Sequence, residues 1–198
     1  MSIPKSETES NAKKSLTDRI VSDFLNIDER LLKNISDEAA YKIRSANPKV
    51  VVCGAAGSSK TSFAKHLSKK LDVPTFDLDE YIPEGWTGDE KKYETNFLNG
   101  LDNLWTELPL KGGWIIEHVH ACSPKLAKMF NPGWAIHLNP GKQQLKAVAR
   151  MRDAVAGEPD GTRTERAISS GRKAFQEFSK IPGEIVAEGS GWILKELK

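Results

Sequence analysis

Cysteine is scarce in this chain, and so are long apolar runs and charge of one sign. Only Cys53 and Cys122 occur among 198 residues. They lack the spacing of a metal site, and Cys53 falls inside an apolar run. Both therefore read as reduced, buried or half-buried thiols rather than a disulfide framework. No apolar stretch approaches the roughly 20 residues that cross a bilayer, which argues against a membrane protein. The first residues, Met1-Ser2-Ile3-Pro4-Lys5, lack the apolar segment of a secretory signal, so the expected location is cytoplasmic. A formal net charge of +2 is too mild to argue for nucleic-acid binding by itself. With 38% hydrophobic and 28% charged residues, the composition is that of an ordinary globular domain with a full core.

What the chain does have is the octapeptide Gly54-Ala55-Ala56-Gly57-Ser58-Ser59-Lys60-Thr61, placed directly after the apolar run Lys49–Cys53. A buried strand enters a glycine-bearing loop that opens through Ser62 onto a helix-like stretch. That is the layout of a phosphate-binding P-loop. Backbone N–H groups wrap phosphates, the lysine reaches the outer ones, and the threonine hydroxyl ligates Mg²⁺. The pattern predicts a bound nucleoside triphosphate, with Lys60 as a solvent-facing charge. One position departs from the motif, since Ser59 stands where its second glycine belongs.

Residues 1–12 are polar and aperiodic, the pattern of a frayed tail. From about Lys14 to Ser45, apolar residues recur at helical spacing (Leu16, Ile20, Phe24, Leu25, then Ile27, Leu31, Leu32, Ile35), and Asn26 with Glu29 reads as an N-cap pair. This predicts a helical arm, residues 1–47 with the tail, that covers a sheet edge. Beyond it, residues 48–198 alternate strand and helix. Strands are expected at Lys49–Cys53, Pro74–Asp79, Gly113–Val119, Trp134–Asn139 and Glu184–Glu188. Helices are expected at Lys60–Leu71, from a Thr87/Glu90 capping box to Leu108, from Ser123-Pro124 to Phe130, over Lys142–Asp153, and from a Thr162/Glu165 capping box to Lys180. Trp192–Lys198 reads as a last helical turn or two. Five short strands separated by helices imply an α/β domain, a parallel sheet with helices on both faces.

The second strand ends in Asp77-Leu78-Asp79. Strand alternation would put both carboxylates on one face near the carboxyl edge of the sheet, where doubly wound folds bind ligands. Phosphoryl transfer needs an oriented acceptor hydroxyl and a Mg²⁺ ion near the γ-phosphate, and one carboxylate can serve each task. Glu117 breaks an otherwise apolar third strand. His118 and His120 beside it have no third ligand at metal spacing, which leaves structural or acceptor-contacting roles.

The order of P-loop, helix, strand ending Phe76-Asp77-Leu78-Asp79-Glu80-Tyr81-Ile82 and helix resembles the shikimate, gluconate and adenylate kinase group of P-loop kinases, over about residues 48–198. The resemblance implies a P-loop NTPase three-layer sandwich with five parallel strands in the order 2-3-1-4-5, and a lid at about residues 153–162. It implies ATP and Mg²⁺ as cofactors. It places Asp79 at the acceptor hydroxyl, Asp77 nearer the metal, and Glu117 as the acid that polarises the metal's hydration shell. Lid arginines of this group stabilise charge on the transferring phosphoryl group, which points to Arg152 and Arg150 ahead of Arg163, Arg166 and Arg172. The turn Gly189-Ser190-Gly191 corresponds to the loop that borders the adenine. Where shikimate kinases carry an arginine after the helical phenylalanine this chain has Leu98, and where they carry a glycine triplet it has Glu117-His118. Both departures argue against shikimate as the acceptor.

These features predict a kinase that transfers the γ-phosphate of ATP to a hydroxyl of a small polar or nucleoside-type acceptor, contacted by Asp79, Trp86 and His118. One alternative is a viral-type kinase, active in the host cytoplasm, that phosphorylates a hydroxymethylated pyrimidine or polynucleotide hydroxyl in DNA. In that reading Trp86, Tyr81, His118 and His120 would meet a base, and Lys13, Lys14, Lys33, Lys42 and Arg44 of the arm would touch a backbone. The other is a P-loop ATPase, disfavoured because the Asp77/Asp79 pair suits an acceptor hydroxyl better than a water.

Overall fold

The computed structural model describes residues 29–43, 45–83, 90–109, 111–156, 161 and 163–198, the side chains at 90, 152 and 154–156 excepted. The polar tail, the first arm helix, Asn26, Arg44, Trp86, Thr87, Thr162, the Arg152 side chain and the middle of the expected lid lie outside them.

Helix α1, residues 29–42, precedes β1 (Lys49–Gly54) and α2 (Lys60–Leu71). Then come β2 (Thr75–Asp77), a 3₁₀ turn (Leu78–Glu80), α3 (Glu90–Glu107), β3 (Trp114–Glu117) and α4 (Pro124–Phe130). The chain ends with β4 (Trp134–Leu138), α5 (Lys142–Ala156), α6 (Thr164–Lys180), β5 (Gly183–Gly189) and β6 (Trp192–Leu197).

β1 can be buried on both sides because its residues are apolar on both sides. Val51 and Cys53 enter a core layer with Phe97, Leu101 and Leu104 of α3, Leu126 and Phe130 of α4, and Phe178 of α6. Val50 and Val52 enter the opposite layer with Phe63, Ala64 and Leu67 of α2 and Leu32, Ile35, Ala39 and Ile43 of the arm. Each large side chain so buried contributes roughly 1.5–3 kcal/mol. Helix α1 thus covers a face of the sheet, beside α2, and not an edge. Lys70 and Asp37 tie the two helices at 2.7 Å.

The sheet has six strands in the order β2-β3-β1-β4-β6-β5. β2, β3, β1 and β4 pair in parallel, whereas β6 is antiparallel to both β4 and β5. The expected five-stranded parallel order 2-3-1-4-5 therefore holds only for its first four strands. Residues 192–197 are a strand, not a helical turn, and they insert between β4 and β5. The physical reason is local: Gly191 adopts φ 88° in a tight turn, and Trp192 and Leu194 alternate into the core with Ile193 between them. Lys195 closes the arrangement from within. Its buried ammonium donates to the carbonyls of Phe178 (3.0 Å) and Ile181 (3.3 Å), partners for otherwise open groups at the end of α6.

Two helix starts differ in kind. Ser123 caps α4 as its sequence implies, its hydroxyl accepting from the Leu126 N–H with Pro124 behind it. Helix α6 begins at Thr164 with Arg163 in the cap position and no side-chain cap from it; the expected Thr162/Glu165 box rests on Thr162, outside the described residues.

Candidate active site

The loop between β1 and α2 sits at the carboxyl edge of the parallel strands, with the ends of β3 and β2 to one side and β4 to the other. Its shape depends on backbone that approaches closely. A Cβ on Gly54 would lie 2.5 Å from the Leu138 carbonyl oxygen, and Gly57 has φ 85°. Ser59 occupies the left-handed region at φ 61°, ψ 29°. That explains why the motif prefers glycine there, and a non-glycine residue bears about 1–2 kcal/mol of strain in this conformation. The loop is braced by Ser58 N–H donating to the Ala55 carbonyl (3.1 Å) and by Ala56 N–H donating to the Ser170 hydroxyl of α6 (3.0 Å).

Lys60 is half-buried rather than solvent-facing, and its ammonium donates to the Ala55 carbonyl at 3.0 Å. Burial lowers its pKa, opposed by the negative charges of Glu117 and Asp79. Thr61, one residue on, donates its hydroxyl proton to Glu117 Oε1 at 2.5 Å. Register pairs Asp77 with Glu117 across β2 and β3, so a hydroxyl and two carboxylates converge from three elements. Among the described residues no group of three or more His, Cys, Asp or Glu forms a metal site by itself. An oxygen-only set with two carboxylates suits a hard cation that takes its remaining ligands from water and phosphate.

Glu117 is buried, and its pKa is pushed up to about 7, first by burial and then by the charge of Asp77, with the Thr61 hydrogen bond opposing. A pH dependence follows. Below the unfolded value of 4.5 both states hold the proton. As pH rises toward about 7 the unfolded chain releases it while the folded one retains it, so stability falls across that window. The full effect is on the order of 3 kcal/mol. Denaturant midpoints should therefore drop between about pH 5 and pH 8, and Glu117→Gln should flatten the drop. A slope unchanged in the variant would assign it to other groups. Mg²⁺ alone should bind more tightly at the higher pH, where the carboxyl is ready to ionise.

Asp79 is not on the strand. It lies in the 3₁₀ turn, with its N–H donating to Asp77 Oδ1 at 3.0 Å, so strand alternation does not align the two acids as expected. What holds the exposed Asp79 carboxylate is His118, whose Nε2 lies 3.2 Å away. His118 is buried against Phe97, ring centroids 5.6 Å apart, and its Nδ1 accepts the His120 N–H at 3.0 Å. With Nδ1 occupied as an acceptor, the neutral ring carries its proton on Nε2, facing Asp79. Burial lowers the His118 pKa, and the bond from His118 holds Asp79 below the usual carboxylate range. His120 pairs with Glu177 of α6 at 3.1 Å, so the two histidines serve separate acids instead of one metal.

Of the expected arginines, Arg150 is exposed on α5. Arg163 reaches the buried Asp153 at 3.4 Å, and Asp153 also accepts from the N–H groups of Gly161 (3.0 Å) and Arg163 (3.3 Å). Asp153 thereby ties the two ends of the connection between α5 and α6, a role its sequence context did not signal. Ser62 is exposed in the first turn of α2. Gly189 packs under the Trp192 indole, whose Nε1 lies 2.3 Å from where a Cβ would stand. It is Ser190 and Gly191 that face the loop, across a cavity lined also by Ser58.

No family model and no curated protein matches the chain. Solved structures are similar in fold. A shikimate kinase from Bacteroides thetaiotaomicron superposes with a TM-score of 0.51 at 23% identity, over 68% of this chain and 83% of that one. A gluconokinase from Sinorhizobium meliloti 1021 gives 0.46 at 15% identity, over 64% and 76%. The resemblance drawn from the motifs thus holds at the level of fold: a mostly parallel α/β core of the shikimate kinase type, preceded here by α1. Among the described residues no helix is long and apolar enough to cross a membrane.

Proposed function

We propose that this protein is an ATP-dependent kinase that transfers the γ-phosphate to a hydroxyl of a small polar or nucleoside-type acceptor. The observation that carries the reading is the convergence of Lys60, Thr61, Glu117, Asp77 and the His118-bound Asp79 at one sheet edge. In this reading the loop amides and Lys60 bind the phosphates. Thr61, Asp77 and Glu117 would hold Mg²⁺, which neutralises phosphate charge when bound. Asp79, kept ionised by His118, orients the acceptor hydroxyl and accepts its proton. Arg150 on α5, and Arg152, whose side chain lies outside the described residues, would supply the charge that stabilises the transferring group. Two further features favour an acceptor without a carboxylate: the position after Phe97 is Leu98, and the wall beside Asp79 is built of Tyr93, Phe97 and His118 rings.

The test is transfer of label from γ-labelled ATP to sugars, nucleosides, nucleotides and DNA bearing hydroxymethylated pyrimidines. Label in a sugar or nucleoside supports the proposal. Label in DNA alone would move the acceptor to the polynucleotide class, and release of free phosphate alone would make the protein an ATPase.

A further inference from the structure

Beside the P-loop lies a cavity of about 290 Å³ that the kinase-like core does not close by itself. One wall is the end of β4 with its following loop, Leu138 to Gly141, joined to the hairpin turn by Asn139 N–H donating to the Gly191 carbonyl at 2.7 Å. The loop contributes Ser58, 4% exposed, whose hydroxyl is occluded and has no hydrogen-bond partner among the described residues. The opposite wall is the arm: Leu31, Leu32 and Ile35 of α1. Leu32 and Ile35 are buried in the core, but Leu31 is 44% exposed although it belongs to the same apolar stripe. An apolar side chain facing a half-open recess that is framed by the P-loop, the end of β4 and the hairpin turn is the lining of a ligand pocket. Its volume is at the small end for ligand sites and suits one planar ring system.

We infer that helix α1 forms a wall of the pocket for the nucleobase of the triphosphate held by the P-loop, with Leu31 against the ring face and Ser58 on the side toward the loop. This rests on the nucleotide reading of the loop and adds to it: the arm outside the kinase-like core belongs to the substrate site. Phosphates on the loop amides leave the base to one side of the loop, and this cavity adjoins the loop through Ser58. The hairpin turn contributes Ser190 and Gly191, where a Cβ on Gly191 would already stand 3.2 Å from the Asn139 carbonyl oxygen.

The experiment compares binding of ATP and of inorganic tripolyphosphate, which has the same phosphate chain and no base, to the full chain and to its Leu31→Asp variant. Leu31 is exposed, so the variant should fold, and tripolyphosphate binding reports that its loop is intact. The expected result is an ATP Kd raised on the order of tenfold with the tripolyphosphate Kd unchanged. Leu31→Met should retain ATP affinity. An ATP Kd unchanged in Leu31→Asp, or equal losses for both ligands, would overturn the assignment of α1 while leaving the P-loop reading in place. Wild-type protein that binds neither ligand would remove the P-loop reading and this inference with it.

Discussion

Lys60→Ala should reduce phosphoryl transfer by at least about 10³-fold, the scale of losing a preorganised charge at a developing anionic centre. The half-buried ammonium is held within 3.0 Å of the Ala55 carbonyl and surrounded by acids, so it is positioned before any phosphate arrives. The substitution removes a cation that opposes protonation of Glu117, so the Glu117 pKa should climb above about 7. Two measurements separate these effects. Turnover at saturating ATP reports the missing charge, and Mg²⁺ affinity against pH reports the shifted carboxyl. Near-normal turnover in a folded variant would refute the nucleotide assignment outright. Collapse of the fold is not expected, because Lys60 opens α2 at its exposed end and the core residues of that helix are Phe63, Ala64 and Leu67.

The parts of the molecule that were legible in the sequence are those whose causes are local. The run Lys49–Cys53 is apolar at every position after the first, so it had to be a strand covered on both sides. Ser123-Pro124 carries its own cap chemistry, and the α3 stripe Phe97, Leu101, Leu104 and Leu108 repeats at helical spacing. What failed to show is set by partners distant in sequence. Trp192–Leu197 is short enough to suit a helical turn or a strand, and only a vacant edge beside β4 decides for the strand. The bulge between Ile185 and Ala187 further blurs the alternation of β5. Asp79 looked like a strand residue because Leu78 continues the alternation, yet the Asp77 side chain accepts from the Asp79 N–H and turns the chain into a 3₁₀ helix. The bond between Asp79 and His118 joins the segments that follow two different strands, β2 and β3, and nothing in either neighbourhood announces it. The spacing of Leu31 matches that of the core residues Leu32 and Ile35, yet it is exposed and lines the cavity beside the P-loop.

Asp79→Asn should lower turnover by about 10²–10⁴-fold while leaving the ATP Kd nearly unchanged. The amide keeps the volume and a contact to His118 but loses the charge that accepts the hydroxyl proton. His118 refines the prediction. Its Nδ1 is committed to the His120 N–H, so its Nε2–H donates to Asp79 and lowers that carboxylate's pKa. His118→Gln keeps a donor but not the fixed tautomer or the ring contact with Phe97. It should cost less than Asp79→Asn, roughly tenfold, and shift the acidic limb of the pH–rate profile upward, because Asp79 would then ionise at higher pH. Combined, the two substitutions should lose no more than Asp79→Asn alone, since His118 acts through that carboxylate. Additive losses would separate them and make His118 an acceptor contact. Equal loss of ATP affinity and turnover in Asp79→Asn would instead move Asp79 into the metal shell beside Asp77.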